Sequence, residues 1–308
     1  MNEVGNFAGK PGGSVSAFSI DPKTARLTPL NQQPSHGAAT CYVSIEQTGK
    51  FALAANYSKG NVIMLPIMAD GKLGPASDIV QHSGSSADPG RQKAPRAHCI
   101  IPGPGNRYAF AADLGIDKIV IYRMDLENGK LLPHGEVKMK PGAGPRHFTF
   151  HPNGRYAYLI QELNSTMTAF AYHAEKGTLE ELQTLSTLPE DFKGQNFCAD
   201  VHVSPSGKFV YGSNRGHNSI AMFAVDEKTG TLTSLGQEPT GGRTPRNFAI
   251  DPTGTYLLAA NQDTSNIVAF RIDPQTGKLK KTDHVTSVPF PVCLKIINFG
   301  EAGTGSSR

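Results

Sequence analysis

Eight polar side chains stand at related points of a repeating pattern in this sequence: His98, Arg146 with His147, Glu162, His202 with Arg215, and Arg246 with Asn247. If the repeats are equivalent structural units, equivalent positions of successive units face one another, and these residues converge on one pocket. That pocket is cationic and carries one carboxylate. It suits an anionic small molecule, with His or Glu available for proton transfer. A role in holding the units together competes with function for each residue. No His-Glu-x-x-His, Gly-x-Ser-x-Gly, P-loop or Gly-x-Gly-x-x-Gly occurs, which sets aside the usual zinc hydrolase, serine hydrolase and nucleotide-binding readings.

The elements that must position these residues are short strands. With 33 Gly, 22 Pro and no Trp in 308 residues, long helical runs are hard to find. One unit reads as apolar strand, Pro/Gly turn, aromatic-led strand: it runs from Phe148 through Pro152 and Gly154 to Tyr158, again from Val201 to Tyr211, and again from Phe248 to Leu257. The leading aromatics Phe51, Tyr108, Tyr156, Phe209 and Tyr256 follow one another at about 50 residues, within the range of propeller blades. A second hairpin follows each copy, with a turn Asp-x-x-Thr-Gly-x-Leu or a relative of it, as in Asp226 to Leu232, Asp273 to Leu279 and, more weakly, Asp21 to Leu27.

Outer hairpins are expected to begin near Ser14, Asn61, Lys118, Thr166, Ser219 and Asn266, and inner hairpins near Thr40, Ala97, His147, Asp200 and Asn247. A last inner segment, Pro291 to Phe299, supplies one strand. The expected fold class is all-β: a single β-propeller domain over 1–308, with six blades' worth of four-stranded units. An outer half-blade lies at 1–35, five blades at 36–290, and a partial inner blade with a tail at 291–308, the ring being closed by pairing of N- and C-terminal strands. Either six blades close this way or a seventh is missing. A two-sheet sandwich fits the period less well.

The net charge of +4 is spread along the chain without a basic block, so no nucleic-acid partner is expected. No run approaches the ~18 to 20 apolar residues of a membrane span, and the first residues lack the pattern of an export signal. A soluble, cytoplasmic monomer is the expectation. Cys41, Cys99, Cys198 and Cys293 are far apart, with no Cys-x-x-Cys, and read as four buried, reduced thiols. No metal or other cofactor is expected. His151 and His173 read as turn or strand-surface residues. His82 and Arg91 lie in a long loop from Gln81 to Lys93, either a lid or a disordered insertion.

Six segments, in order and at propeller spacing, carry a resemblance: Pro95-Arg96-Ala97-His98, Ala112-Asp113-Leu114-Gly115, Gly144-Pro145-Arg146-His147, Gln161-Glu162-Leu163-Asn164-Ser165, Ser213-Asn214-Arg215-Gly216-His217 and Thr244-Pro245-Arg246-Asn247-Phe248. In these the sequence resembles the lactonase family of seven-bladed β-propellers, which includes bacterial 6-phosphogluconolactonases and the fungal carboxy-muconate lactonising enzyme. The resemblance covers nearly the whole chain. Asn2-Glu3-Val4-Gly5 is similar to a segment that follows the inner strands of an early blade, so about one N-terminal blade is absent from the pattern. Arg96 and Asp200 depart from the His and Glu common in relatives.

The resemblance implies catalytic roles for His98, Arg146, Glu162 and Arg215, while His147, His202, Arg246 and Asn247, read from equivalent positions of the repeats, are expected to bind substrate. It implies metal-independent hydrolysis of a small anionic lactone, 6-phospho-D-glucono-1,5-lactone first. A carboxy-cis,cis-muconate cyclase and a non-catalytic binding module are the alternatives. Lactone hydrolysis needs a base for water, cations for the oxyanion and an anchor for the substrate's anionic group. Glu162 or His98 would be the base, and His98 is preferred because a Glu beside two Arg has a lowered pKa. Arg146 and Arg215 would grip phosphate or carboxylate through paired bonds.

Overall fold

The computed structural model describes residues 6–297, and every regular element among them is a β-strand. Five antiparallel four-stranded sheets follow one another, at 40–81, 97–138, 145–186, 198–239 and 245–287. Strands adjacent in sequence are adjacent in each sheet, so every sheet is a meander and one blade of a propeller. Before them stands a two-stranded sheet, Ser14–Ile20 with Leu27–Pro34. All six outer hairpins begin at the expected residues, and the inner ones begin at Thr40, Ala97, Pro145, Cys198 and Pro245, at or just ahead of the expected positions. A small hairpin, Asn6–Phe7 with Lys10–Pro11, is not visible in the repeat pattern.

Burial explains the two kinds of strand. The second strand of a blade is flanked within its sheet and covered on both faces, and Phe51–Asn56, Tyr108–Asp113, Tyr156–Gln161 and Phe209–Asn214 are buried along their whole length. Their near-continuous apolar runs are what two-sided burial selects. The outermost strands, such as Thr178–Ser186, alternate between half-buried and exposed positions. Apolar side chains therefore collect between successive blades: Phe110, Phe148 and Phe170 fill one such layer, and Tyr158, Val210 and Phe223 the next.

In four outer turns a glycine presses on the leading aromatic of the preceding blade. A Cβ added to Gly277 would meet Phe209 Cδ1 at 2.3 Å, and one on Gly230, Gly177 or Gly129 would meet Tyr156, Tyr108 or Phe51 at 2.3, 2.6 and 2.9 Å. At Gly277 the φ of +70° adds a second reason for glycine. Tyr256, the equivalent aromatic of the last blade, is 42% exposed.

The expected pairing of terminal strands is not found among the described residues. The sheet of Ser14–Ile20 and Leu27–Pro34 has two strands only, and 288–297 contributes none. Pro289 and Pro291 lack the N–H a ladder needs, and Phe290 between them has a φ of +45°, so the chain leaves the extended conformation there. It is tied instead by the Leu294 N–H, which donates to Asn247 Oδ1 at 2.6 Å. The remainder of the expected segment, including Phe299, and the Asn2–Gly5 segment lie outside the described residues.

Candidate active site

The innermost strand of every blade carries a pairing irregularity near its start. In the first blade Thr40 pairs with Asn56 and Tyr42 with Ala55, which leaves Cys41 as an extra residue. The same offset leaves out His98, Arg146 and Arg246 in three other blades, and the pair Ala199 and Asp200 in the fourth. A bulge re-aims the side chain of its extra residue. Here it turns one residue per blade toward the axis, which is why these polar types recur at one phase of the repeat.

Cys41, His98, Arg146 and Arg246 together form a partition shared by two cavities. On one side is a cavity of about 200 Å³ completed by Glu162, Arg215, Arg91 and Tyr57. On the other is a chamber of about 490 Å³ completed by His147, Asp200, His202, Asn247 and Lys295 among others. The expected catalytic set thus gathers around the smaller cavity, while His147, His202 and Asn247 lie beyond the partition. Arg246 belongs to both.

Glu162 follows the strand Tyr156–Gln161, and its N–H is fixed by donation to the Gly144 carbonyl at 2.7 Å. Its carboxylate receives three guanidinium groups: Arg146 and Arg215 on Oε2, the latter at 2.7 Å, and Arg91 on Oε1 at 2.5 Å. Burial would raise the Glu162 pKa, but Arg146 and then Arg215 hold it far below the ordinary carboxylate range. Glu162 is therefore ionised and a poor base, as the sequence suggested. Burial, followed by the charges of Arg146 and His147, pushes the His98 pKa well down, so His98 is neutral at neutral pH.

Arg215 is held by two backbone carbonyls as well as by Glu162. Its Nε donates to the Phe197 carbonyl at 3.3 Å, and Nη2 serves both the Cys198 carbonyl at 3.0 Å and Glu162. Arg146 spends Nε on the Ala199 carbonyl and Nη1 on Glu162. Asn247 is also committed, donating to Asp200 and accepting from Leu294.

Arg91 was the residue hardest to find from sequence. Its loop is pinned rather than disordered: His82 bridges Asp113 at 2.6 Å and Tyr122 at 2.7 Å, and Ser86 donates to Asp117. Arg91 donates to Tyr57 as well as Glu162, and also borders an outer cleft of about 580 Å³ with Asn164, Gln195 and Phe197. His151 is a turn residue, buried and bonded to the Gly207 carbonyl, and His173 is exposed, as expected of residues outside the site. The four cysteines are thiols, but Cys293 is exposed and Cys41 half-buried, because both border the axial cavities instead of an interblade layer. Among the described residues no three His, Cys, Asp or Glu are placed to hold a metal ion.

Blades arranged around a polar axial cavity, with one bulged residue from each facing inward, define a β-propeller with its site at the axis. The chain belongs to the lactonase family: the family described as "Lactonase, 7-bladed beta-propeller" matches residues 2–296. It is 39% identical over 286 residues to the 6-phosphogluconolactonase of Bacillus subtilis, covering 93% of this chain and 81% of that protein. The 6-phosphogluconolactonase of Formosa agariphila is 38% identical, over 71% of this chain and 63% of its own length. Among solved structures, the periplasmic gluconolactonase of Pseudomonas aeruginosa superposes with a TM-score of 0.88 at 35% identity, covering 93% of this chain and 81% of that one. The resemblance, the all-β propeller fold and the lactonase class of enzyme are thereby borne out. The chain spans less than two thirds of the Formosa relative, and its described residues form five four-stranded blades and a half-blade of the family's seven.

Proposed function

We propose that this chain hydrolyses a phosphorylated sugar lactone, 6-phospho-D-glucono-1,5-lactone, without a metal. The observation that carries the reading is a neutral His98 beside a carboxylate saturated by three guanidiniums, all lining one cavity. His98 takes a proton from water as the oxygen adds to the lactone carbonyl carbon. Arg146 faces the resulting oxyanion. Collapse breaks the ring C–O bond, and the departing alkoxide recovers the proton from His98, so lactone and water give the open hydroxy acid. Glu162 stays ionised throughout and holds the arginines in place. The small cavity lies below the usual range of ligand sites, about 300 to 1,000 Å³. The anionic end of the substrate therefore extends past it, toward Arg246 and His202 across the partition or toward Arg91 at the cleft. Four thiols suit a reducing compartment, which supports action in the cytoplasm.

The test is hydrolysis of freshly made 6-phosphoglucono-δ-lactone above its spontaneous rate with chelator present. Chelator-resistant turnover that Arg146→Ala abolishes is the expected result. No turnover of this lactone, with turnover of a carboxylated muconolactone or of neither, would transfer the reading to the cyclase or to a binding module.

A further inference from the structure

The outer cleft and the axial chamber are both large enough to take the anionic end of a sugar lactone, at about 580 and 490 Å³, and charge separates them. The cleft is lined by one arginine, Arg91, and one carboxylate, Asp88, and that arginine is already engaged by Glu162. The chamber is lined by Arg146, Arg246 and Lys295, with Asp200 as its carboxylate. Asp200 is buried and draws its side-chain donors from two histidines and an amide, those of His147, His202 and Asn247. Positive charge therefore outweighs negative in the chamber and only balances it in the cleft. Arg146 is also engaged by Glu162, and Lys295 is the chamber's cation from outside the blades.

Lys295 comes to the chamber through the way the chain leaves its last blade. After Leu279–Ser287 the segment to residue 297 forms no strand, yet it is fixed at three points. The Val288 N–H donates to the Ser265 carbonyl at 3.0 Å, the Phe290 N–H to Ser265 Oγ at 3.4 Å, and the Leu294 N–H to Asn247 Oδ1 at 2.6 Å. Asn247 is oriented for that last bond because its Nδ2 donates to Asp200. The bond lies next to Lys295 in the chain, so it fixes the root of the lysine at the chamber wall while the residue stays exposed. An exposed cation contributes little to folding. A lysine ammonium is a compact charge with three donors on a flexible stem, which suits the several oxygens of a phosphate.

We propose that Lys295 sets the preference for a phosphorylated over an unphosphorylated lactone: the phosphate lies in the axial chamber against Lys295, and the lactone ring reacts at His98 on the partition. The proposal rests on the reading of this site as a lactone hydrolase. It leaves Arg91 to the sugar end of the ligand in the small cavity, and it makes the segment after the last blade part of the substrate site. The phosphate is held by charge alone, and none of its bonds changes in the reaction.

The test compares Lys295→Met and Lys295→Arg with wild type on 6-phosphoglucono-δ-lactone and on glucono-δ-lactone. Lys295→Met should lower the ratio of kcat/KM for the phosphorylated to the unphosphorylated lactone about tenfold, mostly through KM, and Lys295→Arg should keep most of that ratio. Because Lys295 is exposed, both variants should melt close to wild type. An unchanged ratio in Lys295→Met overturns the proposal. So does a phosphate-specific loss in Arg91→Ala in place of Lys295→Met, which would put the phosphate at the cleft. Titration calorimetry with 6-phosphogluconate and gluconate reads the same preference without turnover: wild type should bind the phosphorylated acid more tightly, and Lys295→Met should lose most of the difference. A protein that opens neither lactone but shows this difference, and loses it in the variant, would remove the hydrolase reading and leave the phosphate site standing. Equal binding of the two acids by wild type would overturn the site itself.

Discussion

Arg91 Nη2 stands 2.5 Å from Glu162 Oε1, although 71 positions separate the two residues and only Glu162 adjoins a blade strand. Arg91 brings a third positive charge to one buried carboxylate, and it alone among the three arginines is substantially open, at 35% side-chain exposure against 4% for Arg146 and 12% for Arg215. A half-open guanidinium contributes little to folding, because water screens it. If a ligand displaces that water, the charge is available to it, which gives a test.

Arg91→Ala is accordingly expected to leave the thermal midpoint within a few degrees of wild type. On the phosphorylated lactone it should raise KM about tenfold while kcat falls less, the pattern of lost ground-state binding. A large drop in the midpoint, with KM unchanged, would show that the loop is held for stability alone. Steady-state kinetics and a melting curve settle it.

Stability should begin to fall at a higher pH than carboxylates alone would give. His98 and His147 are both held neutral by burial, so their folded pKa values lie below the ordinary value of about 6.5. Below that pH the unfolded chain binds protons that the folded one refuses, and unfolding becomes easier as pH falls. Above it the two rings contribute no slope. Glu46, held at about 2 by hydrogen bonds from Thr48 and Asn106 that outweigh burial, contributes stability above its unfolded value near 4.5 and loses it as pH falls toward 2. Urea midpoints should therefore be flat from pH 8 to 7, decline from about 6.5, and fall further below about 4.5. His98→Asn should flatten the first decline.

Phe209 and Tyr256 occupy the same place in successive blades but have different surroundings. Phe209 is buried under Gly277, whereas Tyr256 is 42% exposed. Phe209→Ala should cost about 3–5 kcal/mol by cavity formation. Tyr256→Ala should cost less than about 1 kcal/mol, as exposed substitutions do. Equal losses in chemical denaturation would mean that a cover lies over Tyr256.

The sequence made the blades readable because burial repeats with them. Phe51, Tyr108, Tyr156 and Phe209 mark strands covered on both faces, and turns such as Asp273 to Leu279 mark the outer hairpins, so all six outer starts could be located. The site was legible for the same reason: His98, Arg146 and Arg246 sit at the bulges of three innermost strands, and a periodic defect leaves a periodic signal. Arg91 lies on a loop that no other blade repeats, so nothing marked its reach to Glu162. Asp200 could be noticed but not interpreted, since its three side-chain donors, His147, His202 and Asn247, come from three innermost strands. The closing strand failed because Pro289 and Pro291 break an otherwise strand-like run.

The glycine contacts between blades give the assembly a direction. Phe51, Tyr108, Tyr156 and Phe209 are each capped by the turn of the following blade, and none by the preceding one. At this contact, removing a blade would thus uncover an aromatic on its predecessor and a glycine on its successor. Mechanical or thermal fraying should travel backward along the chain from the Tyr256 side, each lost blade unlatching the one before it, so that Arg246, on the innermost strand of the Tyr256 blade, is the first arginine of the axial site to be released.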